Sequence, residues 1–394
     1  MKNYYLFFLI LFANLTAVAQ PFTLTENSEI SILTIGPGDN LYDKFGHSAF
    51  RVQDETTNLD LVFNYGVYDF DTPNFYTKFA RGQLLYKLAV SEYEDFLATY
   101  IIQERWIKEQ LLDLNYQQKN ELFSFLLNNA KPENQYYKYD FFYDNCATRI
   151  RDVLKTVLGE DLNYKDDLAE EGCTFRELIQ KNVHWNSWGS MGMDAAIGAV
   201  VDRKASSWHY QFLPDYVFKA AKDASLTTAG AQKPLVKQTT TIYEGGERDG
   251  KGSFFLSPLF VFGILGLLLI GVTIQDARKK RRSRYLDAAI FLITGAIGVI
   301  LLLLWVATDH STTANNYNLL WAFPLSLFLF PLIAKKQPKR WLKRYVFFLP
   351  LLIILLFTHW LSGVQVFALA MLPLFIGLAI RYGYVYKFLD QQGK

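Results

Sequence analysis

The chain has 394 residues, 40 Lys and Arg against 38 Asp and Glu, and two cysteines. Its net charge of +2 averages a polar, aromatic-rich first part and an apolar second part, so it singles out no polyanionic partner. Two cysteines in a chain of this length exclude a disulfide scaffold, and no internal repeat or low-complexity tract interrupts it.

Met1-Lys2-Asn3 leads into the apolar stretch Tyr4 to Phe12 and then Ala17-Val18-Ala19 before Gln20. A basic start, an apolar core and an A-x-A site predict a cleaved signal peptide over 1–19. An uncleaved anchor would leave the next domain on the same side of the membrane.

Residues 20–226 are long enough for one exported domain with its own core. Phe22 to Ile35 reads as strand, stopped by the loop Gly36-Pro37-Gly38-Asp39-Asn40. Ser48 to Val52 and Leu59 to Tyr65 are the next strand candidates, which puts His47 at or just before a strand and Asn64 near the end of its neighbour. Ser91 with Glu94 predicts a capped helix running through Phe96 and Trp106 to Leu111, and Asn115 with Gln118 predicts a second, ended by Pro132. After the extended aromatic stretch Tyr136 to Tyr143, Asp144-Asn145 caps a third helix whose apolar face is Ile150, Val153, Leu154, Val157 and Leu158, with Gly159 as its stop. Cys146 then falls in the first helical turn, at the positive end of the dipole. The Thr-, Gly-, Lys- and Gln-rich stretch 227–253 reads as a linker.

From 254 onward apolar runs cover 254–274, 286–307, 319–334, 345–361 and 364–380, about five spans, the third and fifth interrupted by Pro324, Pro331 and Pro373. The basic loops 276–284 and 335–344 are placed on the cytoplasmic side by the positive-inside rule, which puts everything before Phe254 outside. Juxtamembrane Lys and Arg are the ordinary topology signal, so neither cluster indicates nucleic acid. The expected architecture is an α+β exported domain, an antiparallel sheet with helices, followed by an all-α bundle of about five transmembrane helices over 254–394.

A cysteine is a nucleophile as thiolate, and a helix start and a nearby imidazole both lower its pKa. Cys146 is the candidate nucleophile and His47 its candidate base. A Cys146–Cys173 disulfide is the competing reading in an oxidising compartment. Trp185, beside His184, and His310, in the external loop with Asp309, are candidates for substrate contact. Arg149 and Arg51 are weaker candidates for a lipid phosphate, each also readable as an ordinary helix or strand charge. Neither an HExxH nor paired Cys-x-x-Cys motifs appear, so no metal site is expected; G-x-S-x-G and a phosphate-binding glycine loop are missing too.

The order His, polar residue, Cys at a helix start resembles the circularly permuted papain-like fold of lecithin:retinol acyltransferase and related phospholipid acyltransferases. Phe45-Gly46-His47-Ser48-Ala49-Phe50-Arg51, Phe63-Asn64-Tyr65-Gly66, Tyr143 to Arg149, Trp185 to Asp194 and the loop Asp309-His310 to Asn318 extend that likeness. With them the chain resembles, over nearly its whole mature length, the Lnb-type lipoprotein N-acyltransferases of Bacteroides-like bacteria. The resemblance implies a cofactor-free enzyme of the inner membrane with its thiol domain in the periplasm, and a third residue that orients His47, a position that Asn64 matches loosely and that Tyr65 or Asp69 could fill instead. It further implies a phospholipid acyl donor, a Cys146 thioester, and a diacylglyceryl-modified lipoprotein as acceptor through its α-amino group. A cysteine amidase or peptidase acting on peptidoglycan, and a non-enzymatic binding protein with the two cysteines bridged, are the alternatives.

Overall fold

The computed structural model describes residues 22–169, 172–228, 230–246 and 253–391; the signal peptide expected over 1–19 lies outside them. In the first domain the chain forms β1 (Glu29–Ile35), β2 (His47–Asp54) and β3 (Leu59–Val67), followed by the short helix α1 (Phe75–Ala80). Next come β4 (Leu85–Glu92), α2 (Tyr93–Ile102), β5 (Ile107–Leu112), α3 (Tyr116–Asn129) and β6 (Tyr136–Lys138). A second stretch carries α4 (Cys146–Leu158), β7 (Leu162–Asn163), α5 (Phe175–Gln180), α6 (Trp188–Ala196), α7 (Ser207–Tyr210) and α8 (Pro214–Asp223). It ends in β8 (Ser225–Thr228), β9 (Ala231–Pro234) and β10 (Val236–Tyr243).

Seven strands pair antiparallel in the order β10-β5-β1-β2-β3-β4-β6. After Glu29, β1 is buried at every position, because it lies mid-sheet with both faces covered. On one face Ile30, Ile32, Phe50, Val52 and Phe63 meet α3 and α4; on the other Leu33, Ile35, Ala49 and Ile107 meet Phe96 of α2. A smaller core of Phe142, Phe175, Leu178, Tyr210 and Phe212 holds the α5–α7 region together.

Two expectations for this domain are corrected. The helix expected from Ser91 to Leu111 ends at Ile102, and Ile107–Leu112 is a strand inserted between β1 and β10. Ile107, Gln110 and Leu112 are its buried residues, and pairing with two neighbours outweighs the helical spacing read from the sequence. Its N-cap is Glu92, without a side-chain bond, rather than Ser91. The stretch 227–253 is also more than a linker. It supplies β9 and the edge strand β10, whose Thr-rich sequence suits an edge exposed on one side; 247–252 lie outside the described residues.

The second domain holds α9 (Pro258–Arg278), α10 (Arg284–Val306), α11 (Ser326–Ile333), α12 (Arg340–Leu361) and α13 (Leu372–Gln391). Four of these, all but α11, are long and apolar enough to cross a membrane, against the five spans expected. The third segment is broken: a 3-10 turn at Tyr317–Leu320, an irregular stretch around Pro324, then eight residues of α11 containing Pro331. Proline removes a helical hydrogen bond and crowds the preceding turn, and here the irregular stretch falls at Pro324, whereas α12 runs on through Pro350. The segment still runs from one end of the bundle to the other. At one end Arg282 donates to Ile333 O and Lys335 O at 3.0 and 2.7 Å, joining the two basic loops; at the other, Asn316 and Asn318 meet the first domain.

A buried ion network closes the basic end. Arg381 of α13 bonds Asp276 of α9 at 2.9 Å and Asp287 of α10 at 2.7 Å, all three essentially without exposure. Carboxylates and guanidinium are affordable there because each is paired and hydrogen-bonded.

Candidate active site

Three local devices bring the site together. Gly46, at φ +79°, turns the chain into β2, and a Cβ there would lie 2.8 Å from Ile35 O. That fixes His47 opposite Ile35 at the start of β2. In β3 the register shifts between Asn64 and Val67, and Gly66 at φ +89° passes within contact of the helix start: a Cβ on it would sit 3.4 Å from Cys146 Cβ and 3.9 Å from His47 Cε1. The third device is the cap of α4. Asn145 Oδ1 accepts from the Ala147 and Thr148 amides at 2.8 and 2.9 Å, and Thr148 Oγ1 accepts from Asn145 N at 2.8 Å, a complete capping box. Asn145 Nδ2 in turn donates to Phe141 O and Phe212 O, pinning the helix start to the second core.

His47 and Cys146 are hydrogen-bonded to each other. Asn64 Oδ1 lies 2.6 Å from His47 Nε2, which leaves Nδ1 as the nitrogen for the thiol. Tyr100 stacks on the imidazole with ring centroids 6.0 Å apart. Burial pushes the Cys146 thiol up, but the imidazolium, its hydrogen bond, and the backbone N–H groups of Ser48 and Ala147 outweigh it, and the pKa lies below the usual thiol value. Burial likewise lowers His47, while the thiolate and the bonds to Cys146 and Asn64 raise it past its ordinary value; the Arg105 guanidinium opposes them. Both shifts favour a thiolate–imidazolium pair.

The expected oxyanion donors at the helix start are partly taken. Asn145 Oδ1 already holds the Ala147 and Thr148 amides, so the Cys146 N–H is the helix-start donor left for a developing oxyanion.

Two cavities meet at His47, and Cys146 lines the first of them. One, of about 340 Å³, is lined by aromatic and apolar groups such as Phe45, Phe79, Leu84, Tyr86, Tyr139 and Phe212, and by Asp309, His310, Ser311 and Thr312 from the loop between α10 and the third membrane segment. The other, of about 390 Å³, is polar, with Asp39, Asn40, Asp43, Thr99, Gln103 and Arg105 on its walls. His47, Gly46 and Gly66 belong to both.

The loop that closes the apolar cavity is anchored on the first domain. His310 Nε2 lies 3.1 Å from Phe79 O, Ser311 donates to Asp140 at 2.6 Å, and Lys138 pairs with Asp309 at 2.8 Å. Farther along, Gly198 N donates to Thr312 O and Asn318 Nδ2 to Asp194 O. Asp194 is itself held by the fully buried Arg176.

The remaining sequence candidates lie elsewhere. Arg149 is paired with Asp144 and stacked 4.1 Å from the Tyr137 ring centroid. Arg51 is shared between Asp60 and Glu109, 3.6 Å over Tyr93. Neither residue lines either of the two cavities at His47, and each guanidinium is paired with protein carboxylates. Trp185 is half-exposed against His184, also away from the cavities. Cys146 and Cys173 are thiols and are not bridged. Tyr100 and Arg105 carry no local mark in the sequence, since nothing there identifies an aromatic or a buried arginine as the neighbour of His47 more than fifty positions away; Tyr139, only seven residues before Cys146, lies in the aromatic stretch 136–143. Among the described residues no group of three or more His, Cys, Asp or Glu is placed to hold a metal ion.

A family model described as the Lnb N-terminal periplasmic domain matches residues 22–181, and one described as the Lnb transmembrane domain matches residues 250–392. The matches meet the two structural domains in the same order, and the protein is a multi-pass membrane protein whose first domain is periplasmic. No curated protein and no solved structure matches the chain.

Proposed function

We propose that this chain, an Lnb-type protein by its two domain matches, is a thiol-dependent lipoprotein N-acyltransferase of the bacterial inner membrane. The observation that carries the reading is the position of Cys146, His47 and Asn64 at an apolar cavity walled jointly by the periplasmic fold and a loop of the membrane domain. A phospholipid is the acyl donor and the α-amino group of a diacylglyceryl-cysteine lipoprotein is the acceptor.

In the first step the Cys146 thiolate attacks the ester carbonyl of the phospholipid. The C–O bond breaks as the C–S bond forms, and the His47 imidazolium protonates the departing glycerol oxygen. The Cys146 amide faces the oxyanion. In the second step the lipoprotein amine attacks the thioester and gives a proton to His47, and the thiolate leaves with the amide formed. Asn64 holds the ring in one orientation throughout. Two cavities meeting at His47 suit two substrates: the acyl chain on the aromatic side, which keeps water from the thioester, and the polar N-terminus on the side of Asp43 and Gln103. Both substrates are confined to the same bilayer, so the encounter avoids bulk diffusion.

The test is to incubate the membrane-embedded protein with phospholipid and search Cys146 for a fatty acyl adduct that hydroxylamine removes, then add a diacylglyceryl peptide and follow N-acylation. No adduct, or full activity in Cys146→Ala, overturns the reading. Release of amino acids or peptides from peptidoglycan with no acyl adduct would favour the amidase alternative instead.

A further inference from the structure

The two helices that open the membrane domain are consecutive yet packed on different partners. α9 lies along α13, where Gly266 lets the backbones meet: a Cβ on it would fall 2.4 Å from Pro373 O. α10 lies along the third, broken segment, where Cβ atoms on Gly295 and Gly298 would fall 2.0 Å from Leu327 N and 1.9 Å from Ala322 O. Arg381 then ties Asp276 of α9 to Asp287 of α10 at the cytoplasmic end. Two helices clamped at one end and drawn apart along their length leave a wedge between them.

That wedge is a groove of about 440 Å³, walled by Leu265, Leu268 and Val272 of α9 and Ala289, Ile293 and Ile297 of α10. The one hydroxyl among its lining side chains, that of Thr294, already donates to Ile290 O at 2.7 Å. From Phe262 to Val272 the groove follows α9 for about 15 Å, half of a ~30 Å hydrocarbon core. Its rim residues Leu268 and Ile293 are 58% and 59% exposed, so it opens sideways to lipid rather than to water. Met191 and Ala195 of the periplasmic helix α6 form its upper end. The carbonyl of Ala195 accepts from Asn316 Nδ2, in the same loop that carries His310 to the catalytic cavity.

We propose that this groove seats one acyl chain of a membrane phospholipid. An apolar slot with no polar partner to offer, inside the bilayer and open to it, matches a hydrocarbon tail and nothing with hydrogen-bonding needs. Its upper end, formed by α6, sets the lipid's polar part beneath the loop that walls the Cys146 cavity. Its role in feeding the donor to Cys146 rests on the acyltransferase reading; its occupancy does not.

The experiment reconstitutes the full chain in phospholipid nanodiscs containing phosphatidylethanolamine with a diazirine on one acyl chain, and maps photo-adducts by mass spectrometry. Adducts are expected to concentrate on Leu268, Val272, Ala289 and Ile293, and to persist in Cys146→Ala. In Ile293→Trp, which fills the slot, groove adducts are lost, whereas Ile300→Trp on the outward face leaves them. A cooperative thermal unfolding transition in detergent, unchanged from that of the wild-type protein, reports that each variant remains folded. Adducts spread in proportion to exposure, with Leu267 and Ile300 labelled as heavily as Ala289, overturn the groove. Groove adducts without any acyl-Cys146 in the wild-type protein overturn the acyltransferase reading and leave the lipid site standing.

Discussion

Asn64 Oδ1 and His47 Nε2 are 2.6 Å apart, and that contact leaves one imidazole nitrogen to Cys146. Removing it in Asn64→Ala should cost on the order of 1.5 kcal/mol, about tenfold, in the rate of thioester formation. Asn64→Asp, which keeps an acceptor and adds charge, should retain more activity and shift the His47 titration upward. His47→Ala should lose roughly 10²- to 10⁴-fold. Single-turnover acylation of Cys146 measures all three.

The paired shifts set a pH dependence. With the Cys146 pKa lowered and the His47 pKa raised, the thiolate–imidazolium pair exists between the two values. Iodoacetamide should therefore alkylate Cys146 with a half-maximal pH below that of an ordinary thiol. Turnover should fall as pH rises through the raised His47 value, because the imidazolium that protonates the leaving oxygen is lost. The same shifts act on stability. The His47 contribution is present below the ring's unfolded pKa and disappears as pH rises through its folded one. The Cys146 contribution is present above the unfolded thiol pKa and disappears as pH falls through its folded one. An alkylation profile identical to that of a free thiol would contradict the pairing.

Gly46→Ala should be more damaging than a surface alanine substitution. It combines a positive φ, worth about 1–2 kcal/mol against an L side chain, with a Cβ 2.8 Å from Ile35 O. The backbone must shift, and His47 is the next residue. Thermal unfolding should show the strain, and Cys146 alkylation should slow more than the stability change alone explains.

Arg381→Ala takes the closest cation from Asp276 and Asp287, leaving them the longer pairs with Arg281 at 3.4 Å and Arg282 at 3.6 Å. Breaking a buried pair costs up to about 3–5 kcal/mol, so the variant should unfold at lower denaturant or temperature in detergent. Combining Arg381→Met with Asp276→Asn keeps the buried Asp287–Arg282 pair and should recover part of the loss.

At the interface between the domains, buried and exposed contacts should differ. Asn318 is 1% exposed, donates to Asp194 O and accepts from Trp321 Nε1 at 2.9 Å, so Asn318→Ala should cost about 1–3 kcal/mol and open the junction to protease. Lys138→Ala, breaking a solvent-exposed pair with Asp309, should leave the Tm unchanged.

Much of this molecule was legible in local pattern. The capping box at Asn115, the helix cap at Asn145, the stop at Gly159 and the strand beside His47 depend on neighbours within a few residues, and the structure has each of them. Long apolar runs and basic loops likewise announce membrane helices, because the bilayer imposes length and charge rules on each segment separately. The Trp106 region went wrong for the opposite reason. Its helical spacing is local, but a place between β1 and β10 is offered only by residues some seventy positions before and one hundred and thirty after.

The sequence by itself determined the kinds of chemistry present: a thiol at a helix start, an imidazole at a strand start, and a membrane domain after them. Only the tertiary structure decided that the two side chains meet. That meeting requires β3 to bulge at Gly66 against the first turn of α4, and the Asn145 side chain to tie that turn to Phe212. It also decided that Arg149 and Arg51 are spent on carboxylates and that a loop of the membrane domain walls the cavity. Each of these is a long-range contact, whose loop-closure entropy is met by burial of the whole core rather than by any local preference.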